Sequence, residues 1–471
     1  MSRADSGDTF AKVLRQAVKA TLRHFRDTPL TLGVLAAFIA AGAVTGSFLA
    51  GPPEPMLDFA AVSAEGLRAG RWWSLFTSTF FATNPAAYVA AALMILLLLG
   101  LAERTLGPVR TAAFYFGGQF AAVSLFLLIT QLAQQAGDPW LGPMADTLLM
   151  GPYAPVLAAS LAASGVFPAL WQRRLRTAAL STSLLLVLYV GHPESVAGLL
   201  GALVGLTAGW WIQSGHGTLH RHRSTGRETR NLLALTVAIF AIGPILTAAA
   251  RSPAGPLALL RNVVLNPLPT LSQLEENCGG TLDAGCLELD RQGLGGPLGL
   301  ALAVVPVILL LICADGMRRG RKLALWIAIV VQLSVAALSA VYLALFAQMA
   351  GSGSAQDTAV LESKFVHVLP LAAVPVLLVV LLLAHRRHFR IQTSSGALRA
   401  LMLTVGGTWL VLASLYTASW FAAGGPRRDG GLLVLAGELA RQYLPVPLPG
   451  LYRRVFENRS ALETALFAYS G

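Results

Sequence analysis

The chain has 471 residues, of which 55% are hydrophobic and 12% are charged, and its formal net charge is +12. A soluble protein of this size carries about a quarter charged residues, so the composition excludes an ordinary soluble domain. The apolar residues come in blocks of about 20, which match the ~30 Å hydrocarbon core of a bilayer. We therefore predict an all-α polytopic membrane protein, a bundle of transmembrane helices.

The apolar blocks predict about eleven spans, and the charges between them predict their orientation. With the N-terminus in the cytoplasm, 23 of the 35 Lys and Arg residues fall in cytoplasmic segments and 6 in outer loops before residue 424. This is the positive-inside pattern, so we expect a bacterial cytoplasmic membrane protein with a cytoplasmic N-terminus. The spans are predicted at roughly 29–50, 84–102, 110–133, 148–170, 177–191, 194–213, 231–250, 297–316, 323–348, 366–384 and 399–423.

Residues 1–28 lack the apolar core of a signal peptide and predict an amphipathic cytoplasmic helix. Phe10, Val13 and Leu14 begin a run of apolar side chains at helical spacing that continues to residue 26, with lysines and arginines between them. Such a helix suits the inner surface of the membrane. The alternative is a cytoplasmic helix that packs on the bundle.

Residues 29–213 form the first predicted domain, a bundle of six spans with short connections. Its outer loop contains Gly70-Arg71-Trp72-Trp73, and the turn after the second span reads Glu103-Arg104-Thr105-Leu106-Gly107, with Gly117-Gly118 further on. As a set, these motifs resemble the front half of the rhomboid intramembrane proteases, over roughly residues 25–215. The resemblance implies a rhomboid-like six-helix fold for this domain.

The resemblance also implies a serine protease site, but other residues stand at the catalytic positions. Rhomboids carry the nucleophile in Gly-x-Ser-Gly at the outer start of the fourth span, and the corresponding Gly151-Pro152-Tyr153-Ala154 places Tyr153 there. Ser195 falls where the sixth span carries the histidine base. The oxyanion donors of the second span fall near Ala87 and Ala91, which offer no side-chain donor. The sequence therefore predicts a pseudoprotease.

The alternative is an active protease with a displaced dyad, for which Ser164 is the candidate serine. It would lie about 16 residues into the fourth span, some ~24 Å from the outer end, whereas His192 lies at the opposite end. The two side chains cannot then hydrogen-bond, so we expect Ser164 to be a packing residue. On the sixth span, small residues at helical spacing predict close packing against the fourth span. These residues are Gly198, Gly201 and Gly205.

Residues 214–230 are polar and basic and predict a cytoplasmic linker between the two domains. Its His216, His220 and His222 lack the second ligand cluster that a metal site needs, so we expect no metal and no other cofactor. Nucleic-acid binding is not expected, because no compact basic soluble domain carries the charge. Positive charge beside a membrane favours anionic phospholipid instead. The arginines expected at lipid headgroups are Arg104, Arg173, Arg174, Arg318, Arg319, Arg321, Arg386 and Arg387.

Residues 231–423 form the second predicted domain, a five-helix bundle with a long outer loop at 251–296. Cys278 and Cys286 lie in this loop, where an oxidising compartment and their spacing suit a disulfide; two free thiols are the alternative. Charged side chains at membrane depth are nearly absent, which argues against an ion-coupled transporter. Gln332, the clearest polar side chain within these spans, is expected to make an interhelical hydrogen bond.

Residues 424–471 predict an outer interfacial tail whose last part reads like the start of a missing span. The alternative is a natural tail that packs on the outer surface. Together with the rhomboid-like front half, Glu228-Thr229-Arg230 and Arg318-Arg319-Gly320-Arg321 resemble the membrane region of actinobacterial proteins related to lysyl-phosphatidylglycerol synthases. That resemblance implies a phospholipid-modifying system whose C-terminal cytoplasmic domain is absent from this chain.

The expected function is non-enzymatic: the chain binds lipid or a membrane protein partner as the membrane part of such a system. One alternative is flippase-like translocation of an anionic or aminoacylated phospholipid, which a lateral groove lined by Gln332 would favour. The other is proteolysis by the displaced dyad. A closed, tightly packed bundle favours the first reading.

Overall fold

A computed structural model describes residues 28–138, 140–215, 225–249, 254–258, 297–351 and 372–392, together with residues 396, 399, 403 and 414. Over these residues the protein is all-helical, which confirms the predicted fold class. By length and composition, four helices in this part of the chain can cross a membrane; the eleven spans stay a prediction. The four are Pro85–Leu106, Pro108–Gln135, Pro193–Ser214 and Gly226–Thr247.

Several predicted features lie outside the described residues. They include the amphipathic helix within residues 1–28, the histidines of the linker, and most of the loop at 251–296 with Cys278 and Cys286. The tail at 424–471 and nearly all of the span predicted at 399–423 also lie outside them.

The chain divides into two compact units. The first comprises Met1–Val187 and Gly191–Arg223, and the second comprises Leu188–Val190 and Ser224–Gly471. The division after Arg223 lies inside the segment that the sequence predicts as a linker, 214–230.

Six longer helices form the described part of the first unit. Several begin with proline at the first helical position, which suits proline because the first N–H groups of a helix have no partner within it. Short helices at Ser47–Ala50, Glu54–Ala60, Ala64–Arg68 and Ser74–Thr77 fill the segment between the first two. The six are α1 (Pro29–Val44), α2 (Pro85–Leu106), α3 (Pro108–Gln135), α4 (Tyr153–Ala163), α5 (Ala169–Leu185) and α6 (Pro193–Gly215).

Glu103, near the end of α2, caps the start of α1. Its carboxylate accepts hydrogen bonds from the backbone N–H of Leu30 (2.7 Å) and Thr31 (2.8 Å) and from the Thr31 hydroxyl (2.7 Å). The side chain is only 2% exposed. A negative charge at a helix N-terminus satisfies free N–H groups and opposes the positive end of the helix dipole. Glu103 therefore ties the first helix to the second.

The residues that follow Glu103 also determine the conformation of the turn into the next helix. Gly107 has φ +79°, which favours glycine, and its N–H bonds the carbonyl of Glu103 at 2.8 Å. Pro108 then begins α3. The Glu-Arg-x-Leu-Gly motif therefore contains a helix cap and a glycine turn, and the residue that follows it begins the next helix.

Glycines on α6 lie directly against the backbone of α4. A β-carbon at Gly201 would stand 2.3 Å from the carbonyl oxygen of Ala154, and one at Gly205 would stand 2.3 Å from that of Ala158. At Gly198 the approach is looser, 3.5 Å from the Tyr153 β-carbon. Only residues without a side chain permit this contact, and dispersion between the two backbones then holds the helices together.

The second unit contains α7 (Gly226–Ala241), a further short helix at Gly243–Ala249, α8 (Pro297–Arg318), α9 (Lys322–Gly351) and α10 (Ala372–Ala384). Its core includes Val237, Met317, Leu325 and Leu382, with the buried thiol of Cys313 packed among them. Free cysteine behaves as a small apolar residue in such a position.

Replacement of Glu103 by Ala is expected to lower the free energy of unfolding by about 3 kcal/mol, because three buried donors lose their acceptor. Thermal unfolding of the purified protein in detergent measures this. Glu65→Ala removes an exposed carboxylate from the same unit and is expected to change little. An equal loss in both variants would contradict the capping role.

Gly201→Ala is expected to destabilise the protein by about 2 kcal/mol, because the new methyl group meets the Ala154 carbonyl. Gly117→Ala is a matched control on α3, since a β-carbon there meets nothing within 4 Å. This control is expected to be neutral or to stabilise by up to about 1 kcal/mol through helix propensity. Chemical or thermal unfolding of both variants tests the contact, and equal effects would refute it.

Candidate functional site

Tyr153, at the predicted nucleophile position, is the first residue of α4. The chain before it is pinned to the short-helix segment by backbone hydrogen bonds: Leu149 pairs with Val62, and the N–H of Gly151 donates to the Ser78 carbonyl at 2.9 Å. The predicted span at 148–170 therefore begins about five residues too early. Its opening residues are extended because they pair with a distant strand-like segment, a non-local contact that hydropathy does not reveal.

A small cavity lies beside Tyr153. It encloses about 220 Å³ of atom-free space, including the part open to solvent, and Ser78, Gln119, Tyr153 and Glu194 contribute its polar lining. Glu194 is in the first turn of α6. The tight contact between α4 and α6 places Tyr153 and Glu194 on the same cavity.

The orientation of the Gln119 side-chain amide is set by the hydrogen bonds that its NH₂ group donates. Its Nε2 donates to the carbonyl of Leu75 at 3.0 Å and to the hydroxyl of Ser78 at 3.3 Å. A flipped amide would set Oε1 against the Leu75 carbonyl, so the assignment is not ambiguous. Oε1 is buried and has no hydrogen-bond partner among the residues that the structure describes.

The other predicted site residues lie elsewhere. Ser195 is half-buried next to Glu194, with its N–H bonded to the His192 carbonyl at 2.9 Å, and it does not line the cavity. Ala91 is buried and Ala87 partly buried in a separate apolar cluster around Phe38. The structure thus brings Tyr153 to the cavity but none of the other three.

Ser164 lies eleven residues after the start of α4, about 16 Å along the helix, and not the ~24 Å predicted from a start at 148. It is fully buried, its hydroxyl donates to the Leu161 carbonyl (2.5 Å), and Nε of Arg176 donates to it (2.9 Å). A nucleophilic serine needs a base beside its hydroxyl. The Ser164 hydroxyl instead has an arginine beside it, which donates a hydrogen bond to it.

Among the described residues, the cavity does not combine a serine with a histidine, the pair that the rhomboid resemblance implies. Ser78 is its only hydroxyl of the serine type, and the neighbour of that hydroxyl is an amide N–H, which is a donor and not a base. Among the described residues that line the cavity there is no histidine or cysteine. The arrangement offers oxygen acceptors around an enclosed space, which is suited to binding.

In the second unit, the two basic turns are joined to each other. The N–H of Ile391 bonds the carbonyl of Gly320 at 3.1 Å, and the N–H of Lys322 bonds the carbonyl of Ile391 at 3.0 Å. Arg230 adds a bond from Nη1 to the His388 carbonyl at 3.3 Å. We call the exposed cations brought together here the basic platform. Its members are Arg318, Arg319, Arg321, Lys322, Arg386, Arg387 and Arg390.

One carboxylate neutralises part of the positive charge of the basic platform. Asp315 contacts Nη2 of Arg319 at 2.8 Å and Nη2 of Arg318 at 3.2 Å. These pairs are exposed and contribute little to stability. Asp315 instead holds the two arginines near the end of α8, and the platform retains a clear excess of positive charge.

Three other predicted headgroup residues lie in the first unit. Arg104 is exposed near the end of α2. Arg174 lies over the ring of Trp171, 5.5 Å from its centroid, and Arg173 neighbours it on α5. An exposed tryptophan with a stacked arginine is a usual arrangement at the membrane–water interface.

Sequence reasoning missed Glu194, Ser78 and Arg176. Glu194 is the residue before the expected base position, and Ser78 begins a 3₁₀ helix, Ser78–Phe80, that carries no motif of its own. Arg176 follows Arg173 by three residues on α5, and all three arginines of this stretch are half-buried, so the sequence gives only a weak signal that one of them faces inward.

No protein-family profile matches the chain, and no solved structure matches it. A similar protein is an uncharacterized protein of Corynebacterium glutamicum, which is 28% identical over 430 residues. The match covers 85% of this chain and 51% of that protein, so the chain spans about half the length of this relative.

Activity-based labelling with a fluorophosphonate is expected to leave the purified protein unlabelled, because the described residues that line the cavity include no histidine to activate a serine. An active serine hydrolase in the same detergent serves as the positive control. Ser78→Ala, Ser164→Ala and Ser195→Ala variants complete the experiment. Labelling that disappears in one variant would identify that serine as a working nucleophile.

Proposed function

We propose that this chain is a non-proteolytic, rhomboid-like integral membrane protein that binds anionic phospholipid as the membrane part of a phospholipid-modifying system. It lies in a bacterial cytoplasmic membrane with its N-terminus inside, and it has about eleven spans in a six-helix and a five-helix bundle. The observation that carries the proposal is the basic platform.

The basic platform supports phospholipid binding because its charges are held together by backbone hydrogen bonds. Two turns more than 60 residues apart in sequence meet through Gly320 and Ile391. A cation beside an anionic membrane surface contributes about 1 kcal/mol of attraction. Arginine also binds phosphate oxygens with two parallel N–H groups, so it suits lipid phosphates better than a diffuse positive charge does.

The rhomboid-like part of the proposal rests on packing and on the capped turn. Glycines of α6 against the backbone of α4, and Glu103 at the start of α1, are structural uses of the residues that carry the resemblance. Among the described residues that line the cavity there is no histidine to act as the base for a serine, which supports a non-proteolytic role. Gln332 is buried, which favours a packed bundle over a lateral groove.

The partner in a phospholipid-modifying system is a membrane protein or a cytoplasmic enzyme domain. The lipid it modifies is an anionic phospholipid, and its aminoacylated product is the class that the resemblance to lysyl-phosphatidylglycerol synthases suggests. This chain then presents the lipid, and the chemistry is performed elsewhere.

Binding of acyl-labelled phosphatidylglycerol to the protein in neutral detergent tests the proposal by fluorescence polarisation. Arg386→Gln combined with Arg387→Gln is expected to weaken binding about thirtyfold, from about 1 kcal/mol for each cation. Binding of the unchanged protein is expected to fall as salt rises.

The matched control removes two exposed arginines outside the basic platform, Arg68→Gln with Arg110→Gln, and is expected to bind as before. Labelled phosphatidylcholine should bind weakly to all three proteins. Phosphatidylglycerol binding that is independent of salt, or equally weakened in both double variants, would reject the proposed role of the platform.

A further inference from the structure

The cations of the basic platform form two groups, one on each of its turns. The first turn (316–322) lies between α8 and α9 and carries four of them, and the second turn (385–392) follows α10 and carries three. Neither of these two stretches contains an aspartate or a glutamate. Arginine can hold a phosphate with two parallel N–H groups, so each turn has the side chains to bind one phosphate group by itself.

A short backbone pairing sets the distance between the two turns. Arg321 and Ile391 form a parallel bridge, and its two hydrogen bonds run from Ile391 to Gly320 and from Lys322 to Ile391. Paired backbones of this kind lie about 4.8 Å apart. The two groups of cations are therefore neighbours at a fixed separation, although the turns are distant in sequence.

Arg230 of α7 contacts both turns at once. Its Nη1 donates to the carbonyl of His388 on the second turn at 3.3 Å. The same guanidinium lies across Gly320 on the first turn, where a β-carbon would stand 2.7 Å from Nη1. Gly320 has φ +81°, a backbone conformation that favours glycine. Arg230 is half-buried and bonded within the protein, so we assign it as a positioning residue that holds the turns together.

Exposed apolar side chains beside the cations favour a lipid over a soluble ligand. Ile391, at the bridge itself, is 52% exposed, and Trp326, four residues after Lys322 on α9, is 42% exposed. An exposed tryptophan near cations is typical of the headgroup level of a bilayer. The platform therefore combines phosphate-binding groups with a surface that suits acyl chains.

We propose that the basic platform binds a phospholipid that carries two phosphate groups, with one phosphate at each turn. The proposal rests on the proposed function, because it specifies the anionic lipid that the same surface binds. Cardiolipin is the probe, since a single glycerol joins its two phosphates, and basic surfaces on the cytoplasmic side of membrane proteins do bind its headgroup. A lipid with one phosphate reaches one turn at a time. When two phosphates are linked, binding of the second becomes intramolecular and the affinity rises.

The first experiment compares acyl-labelled cardiolipin, phosphatidylglycerol and phosphatidic acid by fluorescence polarisation with the full chain in neutral detergent. Cardiolipin is expected to bind about tenfold more tightly than phosphatidylglycerol. Phosphatidic acid controls for charge, because its single phosphate monoester carries about −1.5 to −2 charges at pH 7. It is expected to bind more weakly than cardiolipin, and equal binding of these two lipids would refute the proposal.

Two double variants remove cations from one turn each. They are Arg321→Gln with Lys322→Gln on the first turn, and Arg386→Gln with Arg387→Gln on the second. All four side chains are exposed, so the fold should be retained. In both variants the ratio of cardiolipin affinity to phosphatidylglycerol affinity is expected to fall towards one, because a single turn remains. A tenfold ratio that survives in either variant would show that the two turns do not share one lipid.

Arg230→Ala keeps every cation of the platform and removes the tie between its turns. The affinity ratio is expected to fall, with a smaller change in phosphatidylglycerol binding, and Arg230→Lys, which keeps the charge and a donor, should restore part of it. Arg227→Ala is the matched control, since it removes an exposed arginine from the same helix. Equal weakening of both lipids in Arg230→Ala would contradict the positioning role. If this variant does not fold, the two double variants still decide the proposal.

The last experiment separates the sources of the two phosphates and the two levels of the argument. The deacylated headgroup of cardiolipin is added as a competitor and is expected to displace labelled cardiolipin poorly; displacement at equal concentration would identify a soluble bisphosphate as the ligand. Salt-dependent phosphatidylglycerol binding without a preference for cardiolipin would overturn this inference and leave the proposed function intact. Absence of binding by all three anionic lipids would reject both.

Discussion

The contact between the α6 glycines and the α4 backbone is the constraint on which the first unit depends. A β-carbon at Gly201 or Gly205 would stand 2.3 Å from a carbonyl oxygen of α4, so the two helices meet at a distance that no other residue type permits. The same contact positions the first residues of both helices. Tyr153 and Glu194 therefore face one cavity, and Gln119 and Ser78 complete its polar lining. A packing rule thus creates the place where a ligand can bind.

The all-helical class, the position of Tyr153 and the glycine face could all be predicted from the sequence. They depend on local patterns: apolar blocks of fixed length, one motif, and small residues at helical spacing. The start of α4 could not, because Leu149 pairs with Val62 across nearly 90 residues and this pairing outweighs the apolar character of the segment. Hydropathy alone carries no information about that partner.

The candidate site also combines features that the sequence predicts with features that it does not. Charge alone predicts a membrane surface for eight arginines, which stays a prediction, but the joining of two basic turns rests on backbone bonds between Gly320, Lys322 and Ile391. Neither Glu194 nor Ser78 belongs to a motif. Glu194 is next to the predicted base position in the sequence, whereas Ser78 precedes the predicted oxyanion positions in a separate segment. Their relation is visible only when three separate segments pack around Gln119.

The cap on α1 also has a consequence for synthesis of the protein. The donors at Leu30 and Thr31 find their acceptor in Glu103, which is 72 to 73 residues later in the chain. At a translation rate of about 5–20 residues per second, this acceptor emerges about 4–15 s after the helix it caps. Until then the start of the first helix depends on water or lipid headgroups for its hydrogen bonds. Entry of α1 into its final position is thereby coupled to completion of α2, so the two helices are best regarded as one insertion unit.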